Sequence, residues 1–233
     1  QKDVKDKVPE WIETAEIYSE SNDENIHYYV VTNEASLLYM VNLGCIEINP
    51  WFSTVKKINN PDYLAIDLDP LDIPFSKVKE AAFAVKDVLE RAKAVGYCKT
   101  SGATGIHIYI PLNAKYDFEI AREFAHVIAE LTRSLVPGFT SIERSPSKRK
   151  KKVYIDFLQN RTGQTLAAPY SVRPKPAAPV STPLEWKELK SVDSPEEFTI
   201  KTIFKRLKKK GDLFKGVLGK GVDVEKCLSN LGA

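Results

Sequence analysis

A chain of 233 residues, 43% hydrophobic and 28% charged, has the composition of an ordinary globular protein able to bury a full core. No run reaches the length of a membrane span and the N-terminus has no signal-peptide pattern, so a cytoplasmic protein with no membrane partner is expected. The formal charge of +3 is unevenly spread: the first 50 residues hold three Lys against ten acidic residues, whereas residues 141–220 hold 19 Lys and Arg against 8 Asp and Glu, a distribution suited to a polyanionic partner. Cys45, Cys98 and Cys227 are odd in number and widely spaced, which supports neither a disulfide framework nor a structural zinc site.

In chain order, β-rich runs at 28–32 and 37–41 come first. The next, 63–68, belongs to Tyr63-Leu64-Ala65-Ile66-Asp67-Leu68-Asp69. Alternation turns Leu64, Ile66 and Leu68 to a core and Tyr63, Ala65, Asp67 and Asp69 to the opposite face. Residues 76–95 carry apolar side chains at spacings of three and four, which predicts an amphipathic helix capped by Ser76 and stopped by Gly96. After a strand at 106–111, a second helix is expected over 118–135, with Asp117 as cap and Pro137-Gly138 beyond its end. A strand at 153–158 turns Val153, Ile155 and Phe157 one way and Tyr154 and Asp156 the other. Residues 167–183 contain five prolines and read as an irregular crossing or a linker. Thr182-Pro183-Leu184-Glu185 has the form of a capping box, so a short helix is expected there, and another ending at Gly211. Strands and helices in mixed order argue for an α/β or α+β fold.

Chemistry concentrates at three places. Asp67 and Asp69 project side by side from one strand end; unpaired they repel, and a divalent cation is the natural partner for such hard oxygen ligands. Asp156, on a second strand with a polar face, would complete a two-metal site. From the motif alone, a DxD that merely caps a turn before Pro70 stands as an equal alternative. Lys99-Thr100-Ser101-Gly102-Ala103-Thr104-Gly105-Ile106-His107 is a glycine-bearing turn leading into a strand, whose backbone N–H groups, with Ser101 and His107, could hold a triphosphate. An ordinary Gly-containing turn beside a hydrogen-bonded His is the commoner object. Arg173 and Lys175, between prolines, add two cations on a fixed path.

The order DxD strand, SGxxGxH turn, lone Asp in a strand resembles the archaeo-eukaryotic primase superfamily. Within it, Ile66-Asp67-Leu68-Asp69-Pro70, Tyr154-Ile155-Asp156-Phe157-Leu158-Gln159-Asn160 and Ala167-Ala168-Pro169-Tyr170-Ser171-Val172-Arg173 resemble the polymerase domains of bacterial ligase D and their stand-alone archaeal relatives. The resemblance implies a single primase-type catalytic core over 1–233, built as two packed α/β halves with the active cleft between them. It also implies that an N-terminal part of the family fold, used by relatives to grip a DNA 5′-phosphate, is unrepresented here.

By the same resemblance, Asp67, Asp69 and Asp156 would be catalytic ligands for two Mn²⁺ or Mg²⁺ ions. Ser101, His107, Gln159 and Arg173 would hold the phosphates of an incoming NTP or dNTP, with Lys175 as a helper. Asn49 stands where many relatives have His, near nucleotide and metal, and Thr104 stands where many have Lys in the phosphate turn. Arg144, Lys148, Arg149, Lys150, Lys151 and Lys152 lead into the Asp156 strand and would meet the DNA backbone at the cleft rim. The implied activity is template-directed addition of nucleotides to primer 3′ ends. That means gap filling and end processing in non-homologous end joining, on DNA with 3′ ends, gaps or breaks, alongside Ku and an ATP-dependent DNA ligase. A de novo primase and a catalytically silent DNA-end-binding module are the alternatives. The retained carboxylates argue against the second, because a pure binder has no use for a negative cluster facing phosphates.

Overall fold

The computed structural model describes residues 3–19 and 22–233. Contacts divide the chain into two compact units, Gln1–Ile46 and Glu47–Ala233. In the smaller unit, β1 (Thr14–Ser19) pairs antiparallel with β2 (Glu24–Tyr29), burying Ala15 and Ile26. The strand expected at 37–41 is instead part of helix α1 (Glu34–Asn42). The local reason is a reciprocal cap: Asn33 Oδ1 accepts from the Ser36 N–H at 2.9 Å, and Ser36 Oγ accepts from the Asn33 N–H at 3.2 Å. Two of the helix's orphan donors are satisfied at once, and this outweighs the β preference of the residues that follow.

The larger unit is a six-stranded mixed sheet made of β3 (Tyr63–Leu71), β4 (Tyr97–Thr100), β5 (Ile106–Pro111), β6 (Thr140–Ser141), β7 (Lys152–Asp156) and β8 (Pro183–Leu184). Its order is β6-β7-β3-β5-β4-β8, with β6–β7 parallel and the other pairs antiparallel. Helices α2 (Phe75–Ala92) and α3 (Phe118–Leu135) bury their apolar stripes against one face, on Leu64, Ile66, Leu68, Val153 and Ile155 as alternation predicts, and α5 (Val224–Leu231) packs alongside α2. The opposite face carries a smaller cluster of Phe52, Tyr63, Ala65, Tyr109 and Phe214, and further along β3 it carries Asp67 and Asp69. Among the described residues no helix is long and apolar enough to cross a membrane.

Two expected caps move. The α2 helix starts after Pro74, without a side-chain cap, and closes at Lys93 in the left-handed conformation (φ 57°), before Gly96 is reached. At 182–185 the expected helix is absent. The Thr182 carbonyl accepts the Thr100 N–H and Pro183–Leu184 pair with Cys98–Lys99, so the open edge of β4 takes these residues as a strand. An edge position suits a proline, which has no N–H to donate. The expected cap at Asp117 holds, its carboxylate accepting the Ile120 N–H at 2.9 Å, and helix α4 (Ile203–Lys210) ends at Gly211 as expected. The five-proline segment is an ordered crossing: Val172 bridges Val180, and Tyr170 and Ser181 donate N–H groups to Ser181 and Ser171.

Asn160 finishes the sheet where β7 stops. Pairing of β7 with β3 ends at Asp156–Asp67, and two residues further along β3 the Asn160 amide takes over, accepting the Ala65 N–H and donating to the Ala65 carbonyl, both at 2.8 Å. It also donates to the Phe157 carbonyl at 2.8 Å, and it is almost wholly buried. Asn160→Ala leaves both backbone groups of Ala65 unpaired in the interior, at a cost of about 3 kcal/mol. The melting temperature should fall by roughly 9 °C. A fall under about 2 °C in thermal unfolding would show that this side chain is not the missing rung.

Candidate active site

Strand register sets the site. Asp67 on β3 lies directly opposite Asp156 on β7 and directly opposite His107 on β5, and His107 lies opposite Lys99 on β4. Cross-strand partners share a face, so Asp156, Asp67, His107 and Lys99 form one row across four strands, with Asp69 two residues further along β3 on the same side. Beside this row is an open cavity of about 250 Å³, lined by Asn49, Asp67, Asp69, Ser101, Thr104, His107 and Arg173, among others. The cavity lies within the larger unit, between the sheet and the irregular chain around Asn49 and Thr165–Arg173.

The carboxylates are crowded. Burial, then Asp69 and then Asp156, push Asp67 up from 3.8 to about 8. Asp69 is raised by burial, against the pull of the Arg149 charge and a hydrogen bond from Thr104. Asp156 is drawn sideways: it accepts from the Leu158 N–H at 2.8 Å, from the Tyr154 hydroxyl at 3.3 Å and from the Gln159 amide at 3.3 Å. Hard oxygen donors with unneutralised like charge are a donor set for a divalent cation. The three share a face, but among the described residues no three His, Cys, Asp or Glu side chains form a ready-made cage.

The glycine-bearing turn is built differently from expectation. Ser101 Oγ accepts the N–H groups of Ala103 (3.1 Å) and Gly105 (2.9 Å), which removes those donors from any ligand but leaves the hydroxyl proton free to be donated. A Cβ on Gly105 would stand 2.2 Å from the Leu68 carbonyl oxygen. One on Gly102 (φ 70°) would meet Arg173 Cγ at 2.8 Å and the Ser181 nitrogen at 2.9 Å. Both glycines therefore let the turn press against β3 and the 171–181 crossing. Arg173 is fixed at the cavity by donating through Nε to Glu47 at 2.7 Å and through Nη1 to the Ser101 carbonyl at 2.7 Å. His107 Nε2 is 3.5 Å from Asp67, and burial, with the Lys99 and Arg173 charges, holds the imidazole well below its usual pKa.

Not every candidate joins this group. Lys175 pairs with Glu196 at 3.1 Å and is not part of the cavity lining. Gln159 reaches Asp156 but also lies outside the lining. In the basic segment, Arg144, Lys148, Lys150 and Lys151 are exposed, whereas Lys152 donates to the carbonyls of Pro137 and Gly138. Arg149 stacks on the Tyr154 ring at 3.9 Å, with its Nε and Nη1 buried and unbonded. The sequence reading had not singled out Lys99, Asn160 or Glu47. Lys99 and Asn160 stand inside quoted motifs and Glu47 two residues before Asn49, but their partners come from distant chain.

The fold is that of the archaeo-eukaryotic primase type: the polymerase domain of Mycobacterium tuberculosis ligase D in complex with DNA superposes with a TM-score of 0.82 at 23% identity, over 93% of this chain and 77% of that one. The family described as "LigD, primase-polymerase domain" matches residues 1–214, and the chain belongs to that family. The bifunctional non-homologous end joining protein LigD of Bacillus subtilis is 33% identical over 91% of this chain. The multifunctional LigD of Pseudomonas aeruginosa is 29% identical over 76% of it. The chain spans 34% and 21% of the lengths of these two relatives.

The raised pKa of Asp67 gives a test that needs no substrate. Its folded-state value lies above the ordinary 3.8, so its contribution to stability is whole below that pH and is lost as pH rises through about 8. Without divalent cations the protein should lose stability between these limits. Asp67→Asn should flatten that slope and melt about 5 °C higher than wild type at pH 8. Mn²⁺ should stabilise wild type far more than the variant. Parallel melting-temperature curves for the two proteins would refute the crowding of charge at Asp67.

Proposed function

We propose that this chain is a template-directed nucleotidyltransferase that adds NTPs or dNTPs to primer 3′ ends, filling gaps and processing ends in non-homologous end joining. The observation that carries the reading is the row itself: three carboxylates on one sheet face, next to a cavity bearing Ser101, His107 and Arg173. A carboxylate cluster facing a phosphate-sized polar cavity suits phosphoryl transfer, in which positioning and charge stabilisation supply the catalysis and no protein nucleophile is needed. Asp67, Asp69 and Asp156 would hold two Mn²⁺ or Mg²⁺ ions, which when bound would activate the 3′-OH and neutralise the leaving pyrophosphate.

The chain's own groups have separable tasks. The Ser101 hydroxyl, the His107 Nε2–H and the Arg173 guanidinium donate to the triphosphate, and the ties to Glu47 and the Ser101 carbonyl keep Arg173 from following the phosphate out. A cavity of about 250 Å³ takes the phosphates and leaves base and sugar outside, where Asn49 at the edge meets the sugar. Thr104, tied to Asp69, orients that carboxylate. DNA with 3′ ends, gaps or breaks would lie on Arg144, Lys148, Lys150 and Lys151, with Ku and an ATP-dependent ligase as partners in repair.

Extension of a labelled gapped duplex, with and without a 3′-primer strand, tests the activity. Wild type should extend only the primed substrate. Asp69→Ala should abolish addition with duplex affinity retained, and Arg173→Ala should raise the nucleotide KM about tenfold, the worth of one charge-assisted phosphate contact. Near wild-type extension by Asp69→Ala would sink the assignment.

DNA affinity should depend steeply on salt and little on sequence. Replacing Lys148, Lys150 and Lys151 together with Ala should reduce the log–log salt slope by about 2 to 3 and leave the nucleotide KM unchanged. Superimposable lines for wild type and the triple variant would mean that the segment is merely solvated.

A further inference from the structure

We propose that Lys99 is a positioning residue, its buried ammonium fixing the His107 imidazole with Nδ1 as acceptor and Nε2–H turned to Asp67 and the phosphate cavity. Lys99 is fully buried and does not line the cavity, so it would not touch substrate. Its Nζ meets three groups: the Ala167 carbonyl at 2.8 Å, the Ser181 hydroxyl, and His107 Nδ1 at 2.9 Å.

The directions of these bonds are constrained. The Ala167 carbonyl can only accept. The Ser181 hydroxyl spends its proton on the Thr100 carbonyl at 2.9 Å, so it also accepts from Lys99. With Nζ as an ammonium, three protons meet three acceptors and the third goes to His107 Nδ1; a neutral amine would instead accept from Nδ1–H, which is the alternative the tautomer measurement separates. A neutral imidazole that accepts at Nδ1 carries its proton on Nε2, the nitrogen that lies 3.5 Å from Asp67 Oδ1.

Economy of folding argues for a functional role. An ammonium buried without a carboxylate at contact distance is costly, and an apolar side chain of similar length would pack there at less expense. What Lys99 supplies and an apolar residue lacks is a donor for His107, together with a tie from β4 to the 167–181 crossing that carries Arg173. Phosphate binding by His107 then depends on a residue one strand further from the cavity.

This inference rests on the nucleotidyltransferase reading for its kinetic consequence, and its spectroscopic test is independent of it. In the full chain with ¹⁵N,¹³C-labelled histidine and Mg²⁺, the ring shifts of His107, assigned by their loss in His107→Ala, should report the Nε2–H tautomer. Lys99→Met should convert His107 to a mixture of tautomers and raise the nucleotide KM about tenfold, with duplex affinity unchanged. Lys99→Met in a His107→Ala background should raise KM no further. Finding the Nδ1–H tautomer in wild type overturns the proposal. So does a Lys99→Met protein that melts lower yet keeps the Nε2–H tautomer and the wild-type KM. Absence of nucleotide addition by wild type would instead remove the enzymatic reading and leave the tautomer result standing.

Discussion

Everything at this site follows from the register of four strands. Asp67 pairs with Asp156 on one side and with His107 on the other, and His107 pairs with Lys99, so two acids, an imidazole and an ammonium occupy one transverse row. A slip of one residue in any pair would send that strand's polar member into the helix-covered core and bring an apolar one out. Leu64, Ile66 and Leu68 pack against the helices and hold β3 in place, so burial of the apolar side sets the chemistry of the polar side.

Charge along the row runs from negative to positive. At one end, burial and then like charges raise the Asp67 pKa. At the other, burial lowers those of Lys99 and His107. Each end is costly in isolation, and they sit together because the sheet spaces them at strand separation. Arg173 and Arg149 approach from outside the sheet, one through the proline-rich crossing and one through the basic segment, and both bear on the carboxylates.

The parts of this arrangement that were legible in the sequence are those set by local periodicity. The alternation of 63–69 and 152–158 assigned each carboxylate its face, and Asp117 marked the start of α3. Pairing was not legible: nothing between Asp69 and Asp156 says that their strands are neighbours, and only the family resemblance joined them. Local signals misled where tertiary demand overrode them. Thr182-Pro183 reads as a helix start but serves the edge of β4, and residues 37–41 read as a strand but follow a capping box at Asn33. Lys99 stood in the turn motif without a role, because its burial is visible only once the 167–181 crossing lies over it.

The Asn160 rung has a consequence for how the chain tolerates changes of length. Three residues separate the last backbone pair of β7 from the side chain that continues its ladder, and among them Gln159 meets Asp156. That spacer is a ruler: adding or deleting one residue between Asp156 and Asn160 would pull the amide off Ala65 and move Gln159 away from the carboxylate. The exposed turn at Lys150–Lys151, just ahead of β7, has no such tie, so insertions and deletions should accumulate on that side of the strand and be purged from the other.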